Sequence, residues 1–156
     1  MARDVRDYPE GMTWLQKTIT LRDYPRGFHL VTRELCEQLP ELAQYRRGRV
    51  HFFLQHTSAS LSINENADSS VRHDLDRHMD ILAPENAPYY QHTHEGPDDM
   101  PAHIKSALVG CEVTVPVKNG ELALGTWQGI FLGEHRNRER ARTVLVTIDG
   151  ETYNNG

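Results

Sequence analysis

The dipeptide Asn119-Gly120, set between the β-like runs "CEVTVPVK" and "ELALG", constrains the fold of this chain more than any other feature. Both residues tolerate positive φ, which a type I′ turn needs at its two central positions, so the pair predicts a tight antiparallel hairpin. The rest of the chain agrees with it. "MTWLQKTITL" alternates Trp14, Gln16, Thr18 and Thr20 with Leu15, Lys17, Ile19 and Leu21, a period of two that predicts a strand. "RVHFFLQHTSASLSINEN" suits one long strand or two consecutive ones, with Val50, Phe52, Leu54 and His56 on one side. "TWQGIFLGEHR" and "ARTVLVTIDG" add two further strands joined by the charged turn "NRER".

Helices are inserted rather than alternating. Thr32 offers an N-cap to "TRELCEQLPEL", which Pro40 shortens. Asp68 offers one to "SSVRHDLDRHMDIL", whose Val71, Leu75, Met79 and Leu82 share a face until Pro84. "AHIKSALVG" allows about two turns, ended by Gly110. A parallel α/β sheet would alternate strand and helix regularly. The expected fold is therefore α+β: a mainly antiparallel β-sandwich-like core with two or three short helices.

A length of 156 residues fits one domain spanning 1–156. With 38% hydrophobic and 25% charged residues the chain can bury a core, which argues against disorder. A net charge of −5 supplies no general field for nucleic acid. No apolar run approaches the roughly 20 residues that cross a bilayer, so no membrane partner is expected. The charged start "MARDVRDYPEG" lacks the apolar middle of a secretory signal, and cytoplasmic residence is the expectation. Cys36 and Cys111, far apart and unpatterned, suit reduced thiols there.

The candidate chemistry is led by histidine. Three of the nine histidines fall within "YYQHTHEGPDDMPAHIK". His92 and His94 are two apart and share a face if extended, while His103 opens a helix from which its ring can turn back toward His92. His56 ends a β-run and opens "HTSAS", whose small hydroxyl residues leave room for a ligand. The β-sandwich cupins also use His-x-His, but with a glutamate some residues further on; here Glu95 follows His94 at once. Glu65, Asp74, Gln128 and Glu134 supply polar groups, the last two within an otherwise apolar run where burial requires partners. Gly125, Gly129 and Gly133 recur every fourth residue and either leave side-chain space on the opposite face or allow bulges and close backbone approach. Arg136, Arg138, Arg140 and Arg142 would align in an extended segment, and they and Lys105 are candidates for phosphate.

In order along the chain, "HTSASLSINENAD", "YYQHTHEGPDDMPAHIKSALVG" and "NGELALGTWQGIFLGEHR" resemble the YjbQ-like family, also described as secondary thiamine-phosphate synthase enzymes. The resemblance covers about Thr13 to Glu151 and makes the chain a single YjbQ-like domain. It implies a homotrimer with polar pockets near subunit contacts. His56, Asn64, Glu65, Asp74, His92, His103, Gly125, Trp127, Gln128 and Glu134 match the family pattern, whereas His94 and His135 do not. The resulting expectation is a transferase of the thiamine-phosphate synthase type. Its metal ligands would be His56, His92 and His103; its catalytic groups Glu134, Asp74 and Gln128; and its contacts to a small phosphorylated metabolite Asn64, Glu65, Lys105 and Arg142. Displacing diphosphate calls for Mg²⁺ on carboxylates plus Lys or Arg, but a His-led set favours Zn²⁺, so the divalent ion is Zn or Mg. Two other readings stand beside this one: a non-catalytic metal- or metabolite-binding module, and histidines that only pack.

Overall fold

Eight strands and three α-helices succeed one another through residues 11–153, the part of the chain that the computed structural model describes. The charged segment 1–10, on which the absence of a secretory signal was argued, lies outside the described residues. β1 (Met12–Thr20) and β2 (Gly27–Leu30) precede α1 (Thr32–Glu37) and a turn of 3-10 helix (Pro40–Gln44). The middle of the chain forms β3 (Tyr45–Leu54), β4 (Ala59–Glu65), α2 (Ser69–Leu82) and α3 (Asp99–Val109). It closes with β5 (Glu112–Lys118), β6 (Glu121–Leu122), β7 (Gln128–Glu134) and β8 (Thr143–Thr152).

Every strand pairing is antiparallel. One sheet has the order β1-β8-β3-β5-β6 and the other β2-β7-β4. The alternation read from sequence decides what each strand buries: Val50, Phe52 and Leu54 of β3 and Val144, Val146 and Ile148 of β8 are all at most 1% exposed. They meet Leu61, Ile130 and Leu132 of the smaller sheet in one hydrophobic cluster. This is the expected α+β architecture. Asn119 and Gly120 take φ of +52° and +79° and turn β5 onto β6, as the dipeptide required.

The run 49–66 takes the second of its two readings, breaking at residues 55–58 into two strands, and these belong to different sheets, so His56 sits at the corner between them. Two departures from the sequence reading also shape the candidate site. β7 and β8 do not pair with each other; residues 135–142 cross between sheets. The four arginines therefore do not align. Arg136 and Arg142, at the two ends of the crossing, are buried at 4% and 1% exposure, while Arg138 and Arg140 stay exposed. Finally, α3 begins at Asp99, three residues ahead of the expected start. Pro101 does not prevent this, because the first turn of a helix has no intrahelical partner for its N–H groups.

Capping was read correctly at one helix of two. Asp68 Oδ1 accepts from Ser70 N–H at 2.9 Å and starts α2. Thr32 caps nothing: its Oγ1 accepts from Ile130 N–H at 2.8 Å and ties α1 to β7. The apolar face of α2 is only partly covered, with Ile81 and Leu82 largely exposed. Among the described residues, no helix is long and apolar enough to cross a membrane.

Candidate metal centre

Because α3 starts at Asp99, Asp99 and His103 stand four residues apart on one helical face. The loop before the helix returns His92 to the same point. His92 Nε2 lies 2.7 Å and His103 Nε2 3.2 Å from Asp99 Oδ2. The two rings are 5.4 Å apart between centroids, and one donor atom from each of the three residues lies within 4.8 Å of the others. Among the described residues, no other group of three or more such side chains converges in this way.

The hydrogen bonds around the trio determine what it can hold. His103 Nδ1 lies 2.8 Å from the Thr57 carbonyl oxygen, which can only accept, so Nδ1 carries the proton. In the neutral ring Nε2 then presents a lone pair, and it points at a carboxylate oxygen that also has only lone pairs to offer. A cation between them, a proton or a metal ion, resolves the conflict. A histidine whose remote nitrogen is fixed on a backbone carbonyl is the usual outer support of a metal ligand.

Asp99 is itself built in. Its side chain is 2% exposed and Arg136 Nη1 donates to its second oxygen at 2.6 Å. Burial works to raise its pKa, but the hydrogen bond with His92 and the charges of Arg136 and His103 outweigh this and hold it below the usual carboxylate range. The same guanidinium donates through Nε to Asp98 Oδ2 at 2.9 Å and through Nη2 to the Glu95 carbonyl at 2.9 Å. Asn137 N–H gives Asp98 Oδ2 another 2.9 Å bond. Arg136 thus staples the crossing segment to the start of α3 and, by holding Oδ1, leaves Asp99 Oδ2 to the two imidazoles.

Of the expected metal ligands, His92 and His103 come together and His56 does not join them. His56 Nε2 accepts from Thr143 N–H at 2.8 Å, and burial, followed by the charge of Arg142, lowers its pKa. Its place is taken by Asp99. Glu134, expected as an acid-base group, is fully buried and doubly bonded: Arg142 donates to it through Nε and Nη2, each at 2.6 Å. Arg142 also reaches the Ser58 carbonyl and hydroxyl. Lys105, the other phosphate candidate, is 1% exposed and donates to Asp80 Oδ1 at 2.7 Å.

The remaining expected residues lie elsewhere. Six steps of extended strand, about 20 Å, separate Glu134 from Gln128 at the far end of β7. There Gln128 sits across from Glu65 and beside Asn64, and its side-chain oxygen accepts from Gly125 N–H at 2.8 Å. Asn64 Oδ1 accepts from Glu65 N–H. Asp74 is on the outer side of α2, 82% exposed, beside His73. The catalytic and substrate residues read from sequence therefore do not form one site within a subunit. Of the two uses read for the spaced glycines, Gly133 serves close approach rather than open space, since a Cβ there would meet Ser60 Oγ at 2.3 Å and the His135 ring at 2.7 Å.

Asp99 was missed as a functional residue, and Arg136 was read only as a phosphate candidate rather than as the partner of Asp99. The spacing Asp99-x-x-x-His103 was available in the sequence, but only to a reading that let the helix run through Pro101. His135 is buried without being a ligand: Ser60 Oγ is 2.8 Å from its Nε2. Burial, reinforced by the positive charges of Lys105 and Arg142, pushes its pKa down to about 3.

A family model described as "UPF0047 protein YjbQ-like" matches residues 17–151. The UPF0047 protein YjbQ of Salmonella typhimurium is 51% identical over 138 residues, which cover 88% of this chain and 99% of that protein. UPF0047 protein YugU of Bacillus subtilis is 38% identical over 135 residues, covering 86% and 98%. Among solved structures, an uncharacterized conserved protein of the YjbQ/UPF0047 family from Clostridium acetobutylicum superposes with a TM-score of 0.74 at 32% identity, covering 85% of this chain and 98% of that one. A YbjQ-like protein of unknown function from Sulfolobus solfataricus gives the same TM-score at 23% identity over 90% and 99%, a likeness of fold alone.

Proposed function

The chain belongs to the UPF0047 YjbQ-like family, and from that premise we propose that it binds a divalent metal ion through His92, Asp99 and His103 and uses it on a small molecule. The observation that carries this reading is the pair of imidazole nitrogens aimed at a single buried carboxylate oxygen, with His103 Nδ1 fixed on the Thr57 carbonyl. Two nitrogens and one oxygen suit Zn²⁺ better than Mg²⁺, which prefers oxygen ligands. Three protein ligands leave the fourth position open, the pattern of catalytic rather than structural zinc. A bound ion of this kind would supply Lewis acidity to an oxygen of the small molecule or acidify a water. The chain's own contribution is orientation: the Thr57 carbonyl sets the His103 tautomer, and Arg136, on the other oxygen of Asp99, aims Oδ2 at the two imidazoles.

The more specific activity, a thiamine-phosphate synthase-type transferase acting on a phosphorylated metabolite, draws support from the family resemblance. Within one subunit, Lys105 and Arg142 are held by Asp80 and Glu134, so a phosphate would rely on other cations. The alternative of a metal- or metabolite-binding module without turnover is favoured by Glu134, whose carboxylate is taken up by Arg142. A homotrimer is the assembly we propose from the family resemblance, to be checked by light scattering.

Calorimetric zinc titration of wild type, His92→Ala and His103→Ala tests the metal. One site per chain in wild type, with affinity reduced at least tenfold in each variant, supports it. Equal affinities would reject it. A matched thiamine-phosphate synthase assay on the zinc-loaded protein then separates enzyme from binding module.

A further inference from the structure

His92 belongs to two features at once. It is one of the three donors, and it also lines a cavity of about 240 Å³ formed by the loop that precedes α3. Asn86, Tyr90, Thr93 and Met100 are the other functional side chains of that lining, and beyond them it contains only Ala87, Gly96 and Pro97. No lysine, arginine or carboxylate is among these lining residues. The buried basic groups nearby are engaged elsewhere: Arg136 with Asp98 and Asp99, Arg142 with Glu134, Lys105 with Asp80. Apart from the ion itself, a phosphoryl or diphosphate group would meet no counter-charge in the walls of this cavity.

Size and wall chemistry narrow the occupant further. The cavity falls below the roughly 300 Å³ at which pockets for drug-sized ligands begin, so it suits one ring rather than a nucleotide. Tyr90 is held in place by its hydroxyl, which donates to the Pro84 carbonyl at 2.8 Å, and it can offer a ring face for stacking. Met100 supplies a polarizable thioether of the kind that favours aromatic contacts. Asn86 holds φ +60°, a left-handed conformation uncommon outside glycine, and adds to the lining a residue whose carboxamide has both donor and acceptor capacity.

Resting on the metal reading above, we infer that the part of the substrate presented to the ion is an uncharged, planar, single-ring group with a nitrogen or carbonyl donor. Any charged tail lies outside the cavity, toward solvent. Full-length protein loaded with Co²⁺ in place of Zn²⁺ tests this through its ligand-field absorption, using pyrimidine and nicotinamide as neutral ring probes and inorganic diphosphate as the anionic one. A neutral ring is expected to shift the spectrum at lower concentration than diphosphate. Tyr90→Ala should weaken that ring about tenfold through lost stacking while cobalt affinity stays unchanged, and Tyr90→Phe, which keeps the ring face but loses the bond to the Pro84 carbonyl, should weaken it less. Tighter binding of diphosphate, no spectral response to either ring, or ring affinity unaltered in Tyr90→Ala would overturn the inference while leaving the metal site standing. Failure of wild type to take up cobalt would overturn the metal reading and this inference with it.

Discussion

Replacing Arg142 by Met should cost far more stability than the loss of a surface charge, because Arg142 and Glu134 are 1% and 0% exposed and joined by two 2.6 Å bonds. With Arg142 gone, Glu134 keeps only a 3.3 Å bond from Arg136 N–H, and its carboxylate is left in the core without a counter-charge. Breaking a buried pair from one side costs about 3–5 kcal/mol, whereas replacing both partners by apolar residues of similar volume is often neutral. For a chain of this size each kcal/mol moves the midpoint of thermal unfolding by roughly 2–4 °C. The single variant should therefore melt on the order of 10 °C below wild type, while the double variant Glu134→Leu with Arg142→Met recovers most of the loss. Urea unfolding at pH 7, with the slope held against wild type, gives the free energies directly. A loss under about 1 kcal/mol in the single variant would match an exposed pair and refute a structural role for Glu134. So would a double variant no more stable than the single one.

Acid should destabilise the protein partly through His135. Its pKa is pushed down to about 3 in the fold against about 6.5 unfolded, so the unfolded chain takes up a proton that the native state refuses. Its contribution is present above pH 6.5 and is lost as pH falls toward 3; between pH 7 and pH 5 it amounts to about 2 kcal/mol, and His135→Gln should shrink that part of the pH dependence in chemical unfolding. Gly133→Ala forces a methyl to within 2.3 Å of Ser60 Oγ and should destabilise by about 1–3 kcal/mol, measurable in the same unfolding experiment. Asp68→Ala removes the cap on Ser70 N–H and should cost α2 about 1 kcal/mol, whereas Thr32→Ala should act by freeing Ile130 N–H rather than by uncapping α1. Amide exchange at Ile130 distinguishes the two causes.

Local rules made much of the fold readable. Asn119-Gly120 specifies its turn because few other dipeptides accept two positive φ values in succession. The β-runs carry their own buried faces, and Asp68 finds a donor two residues away. What escaped was which sheet each strand would enter: alternation describes a strand's faces, not its neighbours, so 49–66 was read as one long or two consecutive strands with no change of sheet, and the last two strands as joined by a simple turn, when each stretch divides between sheets. The site was half legible for the same reason. His92 and His103 stand out by composition, but the third member depended on where α3 begins, and the proline in "DDMPAH" obscured that. Glu134 was marked as a polar group in an apolar run that needs a partner, and Lys105 and Arg142 as cations for a phosphate. Sequence does not say whether such a group is satisfied by a ligand or by another side chain, and here each is satisfied by a side chain.

Anomalous diffraction from crystals of the wild-type protein equilibrated with zinc tests the central claim most directly. The expected result is one peak per chain, about 2.0–2.2 Å from His92 Nε2, His103 Nε2 and an Asp99 oxygen. A map with no peak there at saturating zinc, or with zinc bound only at other histidines, would contradict it.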